Sequence, residues 1–314
     1  MSQQVTQRTF KRVHIDDDMD NLEAEFLGYD FASEIITEDT DGFKEDGTPI
    51  FVYRRNCIPD ELSDTAYDAF LQAAKQPKYN RGAAAGRLTR ELLPDFVGDL
   101  YPVKASKYRS RYYHPTKKTL QSYYVCNTAR SNIAGYTEKL ANRTLCRKTA
   151  FTRDKVEKWE SSLPYLIYLD SMFKTLAPKR HKIQKDRAQQ RPNYTIKGTA
   201  FSTLGLNYNW RTACHKDKGD FKNGFGVLTV IERGKWSGSE LLLPQYDIGF
   251  DIRGGDIFLF NPHEWHCNTP LVKESDDAVR LSIVSYLRDG LLKCEKGSKP
   301  YSGNQALPKR EKGI

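Results

Sequence analysis

Between residues 194 and 287 the chain breaks into short, strongly apolar pieces, and this segmentation limits its fold more than any other feature. The pieces at 195–206, 226–232, 240–244, 256–261 and 280–287 carry β-branched and aromatic residues and are separated by Gly, Pro and Asn turns. Closely spaced antiparallel strands of this kind point to two facing sheets, a double-stranded β-helix or jelly roll. Upstream the pattern is helical. Leu62, Ala66, Phe70 and Ala73 recur at three to four residues behind a Pro-Asp start, and 151–176 reads as one helix or two broken at Pro164. The expected class is α+β, a double-stranded β-helix core with a helical N-terminal half packed on it.

Four regions follow from these patterns. Residues 1–50 read as an acidic, partly irregular extension. Residues 51–193 read as the helical, basic N-terminal part of the main unit, and 194–292 as its β core. Residues 293–314 read as a polar tail. The basic run 179–191 is expected as a surface loop over the barrel mouth.

Inside the strand-rich part lies Arg211-Thr-Ala-Cys-His215-Lys-Asp217-Lys-Gly-Asp220. At an extended strand end, residues two apart share a face, so His215 and Asp217 can reach one metal. His266 follows Asp217 by 49 residues and Arg280 follows His266 by 14. Two imidazoles and a carboxylate on one face of ferrous iron leave three positions open for a 2-oxo acid and O2. Arg280 suits a two-point grip on a carboxylate of that acid, and Ser282 shares its strand face. His263 competes with His266 for the distal position, but His266 has the better spacing to Arg280. His263-Glu-Trp-His266 lacks the two intervening residues of the zinc-protease motif.

Composition narrows the function classes. With 39% hydrophobic and 28% charged residues among 314, the chain can bury a substantial core. No stretch approaches the roughly 18 apolar residues of a membrane span, and the start has no signal-peptide pattern. The expectation is a soluble intracellular monomer without membrane contact, in the nucleus of a eukaryote or the cytoplasm of a bacterium or phage. Six scattered cysteines without a Cys-x-x-Cys pair are expected reduced and mostly buried. The net charge of +9 hides an asymmetry: residues 1–50 hold 13 acids against 4 Lys/Arg, and 101–200 hold 22 Lys/Arg against 6 acids. A basic middle of that size fits a polyanion, DNA above all.

Three further stretches make the resemblance specific: Thr199-Ala-Phe-Ser-Thr-Leu-Gly-Leu-Asn207, Gly238-Ser-Glu-Leu-Leu-Leu-Pro244 and Gly255-Asp-Ile-Phe-Leu-Phe-Asn261. With the His-x-Asp segment, the chain resembles the TET/J-binding-protein dioxygenases, which oxidise the 5-methyl group of thymine or 5-methylcytosine in DNA. Upstream, Arg81-Gly-Ala-Ala-Ala-Gly86, Ser131-Asn-Ile-Ala-Gly-Tyr136 and Arg147-Lys-Thr-Ala-Phe-Thr152 extend the likeness to roughly residues 75–290. It implies Fe(II) at His215, Asp217 and His266, with 2-oxoglutarate at Arg280 and Ser282, flanked by Asn207 and Arg211, and O2 as co-reactant. It also implies a flipped target base. Asp220 is expected either at the base edge or as a turn cap, and Asn132 as a polar base contact. Arg81, Arg87, Arg90, the 104–111 segment, Lys179, Arg180 and Lys182 are expected phosphate contacts. The resemblance leaves thymine and 5-methylcytosine equally open. Other substrates (RNA, nucleoside, a protein side chain) and a non-catalytic modified-base binder are the alternatives.

Overall fold

Burial on both faces sets the architecture of the central strands. The computed structural model describes residues 5–88, 101–103, 106–114, 116–138 and 146–303. Its largest element is a ten-stranded sheet. The order is Thr6–Phe10, Thr40–Lys44, Pro49–Arg54, Ile257–Phe260, Gly226–Arg233, Val279–Tyr286, Thr203–Tyr208, Ala129–Thr137 and Arg147–Lys148, with Pro77–Lys78 beside Ala129–Thr137. A second sheet, ordered Cys267–Asn268, Leu241–Leu243, Ile248–Phe250, Glu34–Ile36, packs against it. In Gly226–Arg233, Val227 and Ile231 join a cluster with the helices, whereas Leu228 and Val230 join the cluster between the sheets. Ile257 and Leu259 divide from Phe258 and Phe260 in the same way. Strands covered on both sides read as unbroken apolar runs, which is how these appear in the sequence. Between the sheets, Phe250 meets Phe51 and Phe258 with ring centroids 4.6 and 4.5 Å apart.

The helices close one face of the large sheet. Asp60–Ala74 contributes Ala66 and Phe70, and Leu163–Leu176 contributes Leu166, Leu169 and Phe173. The chain breaks between Val156–Ser161 and Leu163–Leu176, placing Pro164 in the first turn, where its missing N–H costs no helical bond. Two strands then define the site. Leu204, Leu206, Leu281 and Ile283 point to the helices, and by alternation Gly205, Asn207, Arg280, Ser282, Val284 and Tyr286 turn to a cavity on the other face.

Four expectations need correction. Residues 5–50, expected as a partly irregular extension, are built into the fold: they supply Thr6–Phe10, Glu34–Ile36 and Thr40–Lys44 to the sheets, anchored by buried Phe10, Met19, Leu27 and Ile36. Polar composition misleads here because edge strands have one solvated side and borrow their hydrogen bonds from a preformed sheet. The 51–193 part, expected as helical, is mixed, since Ala129–Thr137 and its neighbours are strands. The 179–191 run is not a loop over the mouth; it lies largely in the helix Pro178–Ala188, which buries His181, Gln184 and Ala188 on one face. Cys146 and Cys294, 148 residues apart, form a disulfide. Cys126, Cys214 and Cys267 are buried free thiols and Cys57 is half-buried. Among the described residues no helix is long and apolar enough to cross a membrane.

Candidate active site

His215 and His266 face each other across an antiparallel bridge. Each N–H donates to the other's carbonyl, at 3.1 and 3.0 Å, and directly opposed residues of such a pair project to the same side. Their ring centroids are 4.2 Å apart. Asp217 is fixed by its N–H donating to the Pro262 carbonyl at 2.9 Å. Its two carboxylate oxygens lie 3.7 Å from His215 Nε2 and 3.5 Å from His266 Nε2. One ligand atom from each of the three falls within 4.8 Å of the others.

The imidazoles are preset for a metal. His215 Nδ1–H donates to the Ala213 carbonyl at 2.7 Å, and His266 Nδ1–H to the Glu264 carbonyl at 2.9 Å. A carbonyl only accepts, so the proton is assigned to Nδ1 and the Nε2 lone pair is left facing Asp217. Burial, reinforced by His266, brings His215 down to about 4, so the ring is neutral at physiological pH. Burial opposes the charge on Asp217, but the neighbouring histidines outweigh it and hold the carboxyl below its ordinary value. Two imidazoles and one carboxylate suit ferrous iron better than a hard cation that prefers oxygen ligands.

The triad opens into a cavity of about 390 Å³. At one end sits Arg280, 4% exposed, with its Nε buried and without a hydrogen-bond partner. No described carboxylate forms a salt bridge with it; its guanidinium lies 5.7 Å from the Trp236 ring centroid, and its backbone N–H donates to Asn209 Oδ1. Burial, helped by Arg253, pushes the guanidinium down to about 10. An unpaired buried cation is costly, so this end fits a small dicarboxylate that would satisfy it. Ser282 lines the same end, and Asn207 accepts from the Ser131 hydroxyl at 2.6 Å.

The other end holds Asp220, Tyr286, Arg288 and Arg81. Arg288 makes a two-point ion pair with Glu138 at 2.6 and 2.5 Å. Asp220 is buried, and that burial together with nearby Asp217 raises its carboxyl well above the usual range. His263 donates from Nε2 to the Asp220 carbonyl at 2.9 Å, so it supports this turn and stands outside the triad.

Several expected residues lie elsewhere. Asn132 turns to the helix side, donating to the Ala73 carbonyl, while its neighbour Ser131 faces the cavity. Arg211 is spent on the carbonyls of Asn268 and Leu27 and does not line the cavity. Arg81, expected on the surface, lines the cavity with its Nε unpartnered. Arg87 is exposed beside the Tyr108 ring. Lys179, Arg180 and Lys182 sit on the Pro178–Ala188 helix and line no part of the cavity. Arg90 and Lys104 lie outside the described residues. Tyr286 and Arg288 were missed, although continuing the alternation from Arg280 and Ser282 reaches both.

Comparison with known proteins follows the same outline. Residues 132–289 match the Tet_JBP family model, described as the oxygenase domain of the 2OGFeDO superfamily. The chain is similar to the bifunctional helicase and thymine dioxygenase JBP2 of Leishmania tarentolae, 39% identical over 164 residues covering 52% of this chain and 15% of that protein. It is also similar to the thymine dioxygenase JBP1 of Trypanosoma brucei brucei, 39% identical over 165 residues covering 51% of this chain and 19% of that one. The chain thus spans less than a fifth of the length of these curated relatives. Among solved structures, NgTET1 in complex with 5mC DNA shares the fold, with a TM-score of 0.54 over 96% of this chain and 88% of that one at 13% identity.

Proposed function

The chain belongs to the Tet_JBP family of oxygenase domains in the 2OGFeDO superfamily, and on that premise we propose an Fe(II)- and 2-oxoglutarate-dependent dioxygenase that oxidises the 5-methyl group of a pyrimidine in DNA. One observation carries the reading: the His215, Asp217 and His266 triad and the unpaired Arg280 share one cavity. On this reading the triad holds the iron. Arg280 and Ser282 receive the 5-carboxylate of the keto acid, and Asn207 lines its flank. When bound, the iron and keto acid supply the O2-dependent oxidation of a methyl C–H bond, with the keto acid leaving as succinate and carbon dioxide. The two facing sheets are read as a double-stranded β-helix with its core in 194–292, acting as a monomer.

The chain's own part is positioning and exclusion of water. A methyl group inside a duplex cannot reach this cavity, so the target nucleotide must leave the stack. Asp220, held towards its neutral form by burial, can donate to a keto oxygen at position 4, as thymine presents, and relatives 39% identical are named thymine dioxygenases. Thymine is therefore the favoured base, with exposed Arg87 as a phosphate contact. The test is succinate release from the purified protein given Fe(II), 2-oxoglutarate and thymine-containing duplex. Release should depend on DNA and vanish in His215→Ala; release that persists in that variant contradicts the assignment.

A further inference from the structure

Glu264 is the most deeply buried carboxylate close to the triad that the proposed chemistry does not use. Its side chain is 3% exposed, yet four groups converge on it. Lys44 Nζ lies 2.6 Å from Oε1 and Arg12 Nη2 lies 3.2 Å from Oε2. The Tyr246 hydroxyl donates at 3.0 Å and the Asn261 amide at 3.3 Å. A carboxylate that is buried and satisfied on both oxygens is rigid: moving it would break two ion pairs and two hydrogen bonds at once.

That rigidity is passed along the backbone. The Glu264 carbonyl is the acceptor that fixes the His266 ring, and the Glu264 N–H closes the turn on the Asn261 carbonyl at 3.0 Å. The two cations of the clamp come from outside the matched family region 132–289: Arg12 follows the strand Thr6–Phe10, and Lys44 ends Thr40–Lys44. The same N-terminal stretch brackets the other histidine, where Ala24 N–H donates to the Cys214 carbonyl and Cys214 N–H to the Glu25 carbonyl, both at 2.8 Å.

We propose that Glu264 is a positioning residue for the metal centre: clamped by Arg12 and Lys44 of the N-terminal segment, it holds the carbonyl that orients His266. This rests on the triad being the metal site. Groups that orient a metal-ligating histidine typically alter metal affinity 10–100-fold when replaced. The test titrates the metal-free 314-residue protein with Co(II), followed by visible absorption, with the melting temperature of the metal-free protein recorded alongside. Glu264→Gln should raise the Co(II) dissociation constant about tenfold while Glu264→Asp recovers part of the loss. Lys44→Met should move it the same way by less, and it becomes the deciding variant if Glu264→Gln does not fold. Wild-type Co(II) affinity in the deciding variant, with or without a lower melting temperature, overturns the proposal. His266→Ala separates the two claims: if it binds Co(II) like the wild type, the metal assignment itself falls. If it loses Co(II) while Glu264→Gln does not, only the role of Glu264 falls.

Discussion

Arg280 and Arg288 stand eight residues apart on the same face of one strand and its extension, and the structure treats them in opposite ways. Arg288 has its carboxylate already, in the two-point pair with Glu138. Arg280 is buried with an orphaned Nε and no salt bridge to a carboxylate among the described residues, and its cationic form is disfavoured. A folded protein retains such an unsatisfied charge where a ligand supplies the missing partner, whereas a satisfied one is wall. On the proposed reading, the difference separates a cosubstrate end of the cavity from a substrate end.

The largest expected effect breaks the first half of that comparison. Arg280→Met should raise the KM for 2-oxoglutarate at least about a hundredfold, since a buried charge pair is lost to the ligand, while the metal-free protein melts no lower than wild type. Steady-state kinetics at varied keto acid and a thermal melt check both parts. An unchanged KM would remove Arg280 from the cosubstrate end.

Arg288→Met should do the reverse. Stranding Glu138 should cost about 2–3 kcal/mol in urea unfolding, below the 3–5 kcal/mol of fully buried pairs, because the two side chains keep 25% and 16% exposure. Glu138→Gln in the same chain should recover part of it. If Arg288→Met instead shifts only the KM for 2-oxoglutarate, the two ends are wrongly divided.

The smallest effect concerns charge far from either arginine. Lys179→Ala with Lys182→Ala should change duplex affinity by less than about twofold and leave the salt slope unaltered, because neither lysine lines the cavity. Lys182 is already paired with Asp186. Fluorescence anisotropy at two salt concentrations would check this, and a slope falling by about two would restore the helix as a phosphate surface.

Legibility in the sequence followed the range of the forces involved. The triad and Arg280 could be read because two-residue alternation and strand order are local signals, and the same alternation reaches Tyr286 and Arg288. Parity decided the rest: Asn132 was named where Ser131 faces the cavity, a slip of one residue that reverses the side. Arg211 lies past the strand Thr203–Tyr208, where no period says which way a side chain points. The strands of residues 5–50 exist because an edge awaits them, as in the parallel pairing of Thr6–Phe10 with Thr40–Lys44, and local propensity does not encode a partner. Cys146 and Cys294 meet only through the fold. Glu264 carries no signal at all in the sequence, since its clamp is assembled from Arg12, Lys44 and Tyr246.

The proposed oxidation of a pyrimidine methyl group in this cavity can be followed on the DNA itself. Its most direct test supplies a duplex containing both thymine and 5-methylcytosine with Fe(II), 2-oxoglutarate and O2, then digests the DNA for mass spectrometry. The first new base should be 5-hydroxymethyluracil, absent when iron or keto acid is omitted and in Asp217→Ala. Unmodified thymine and 5-methylcytosine under conditions where the protein turns over 2-oxoglutarate would contradict it.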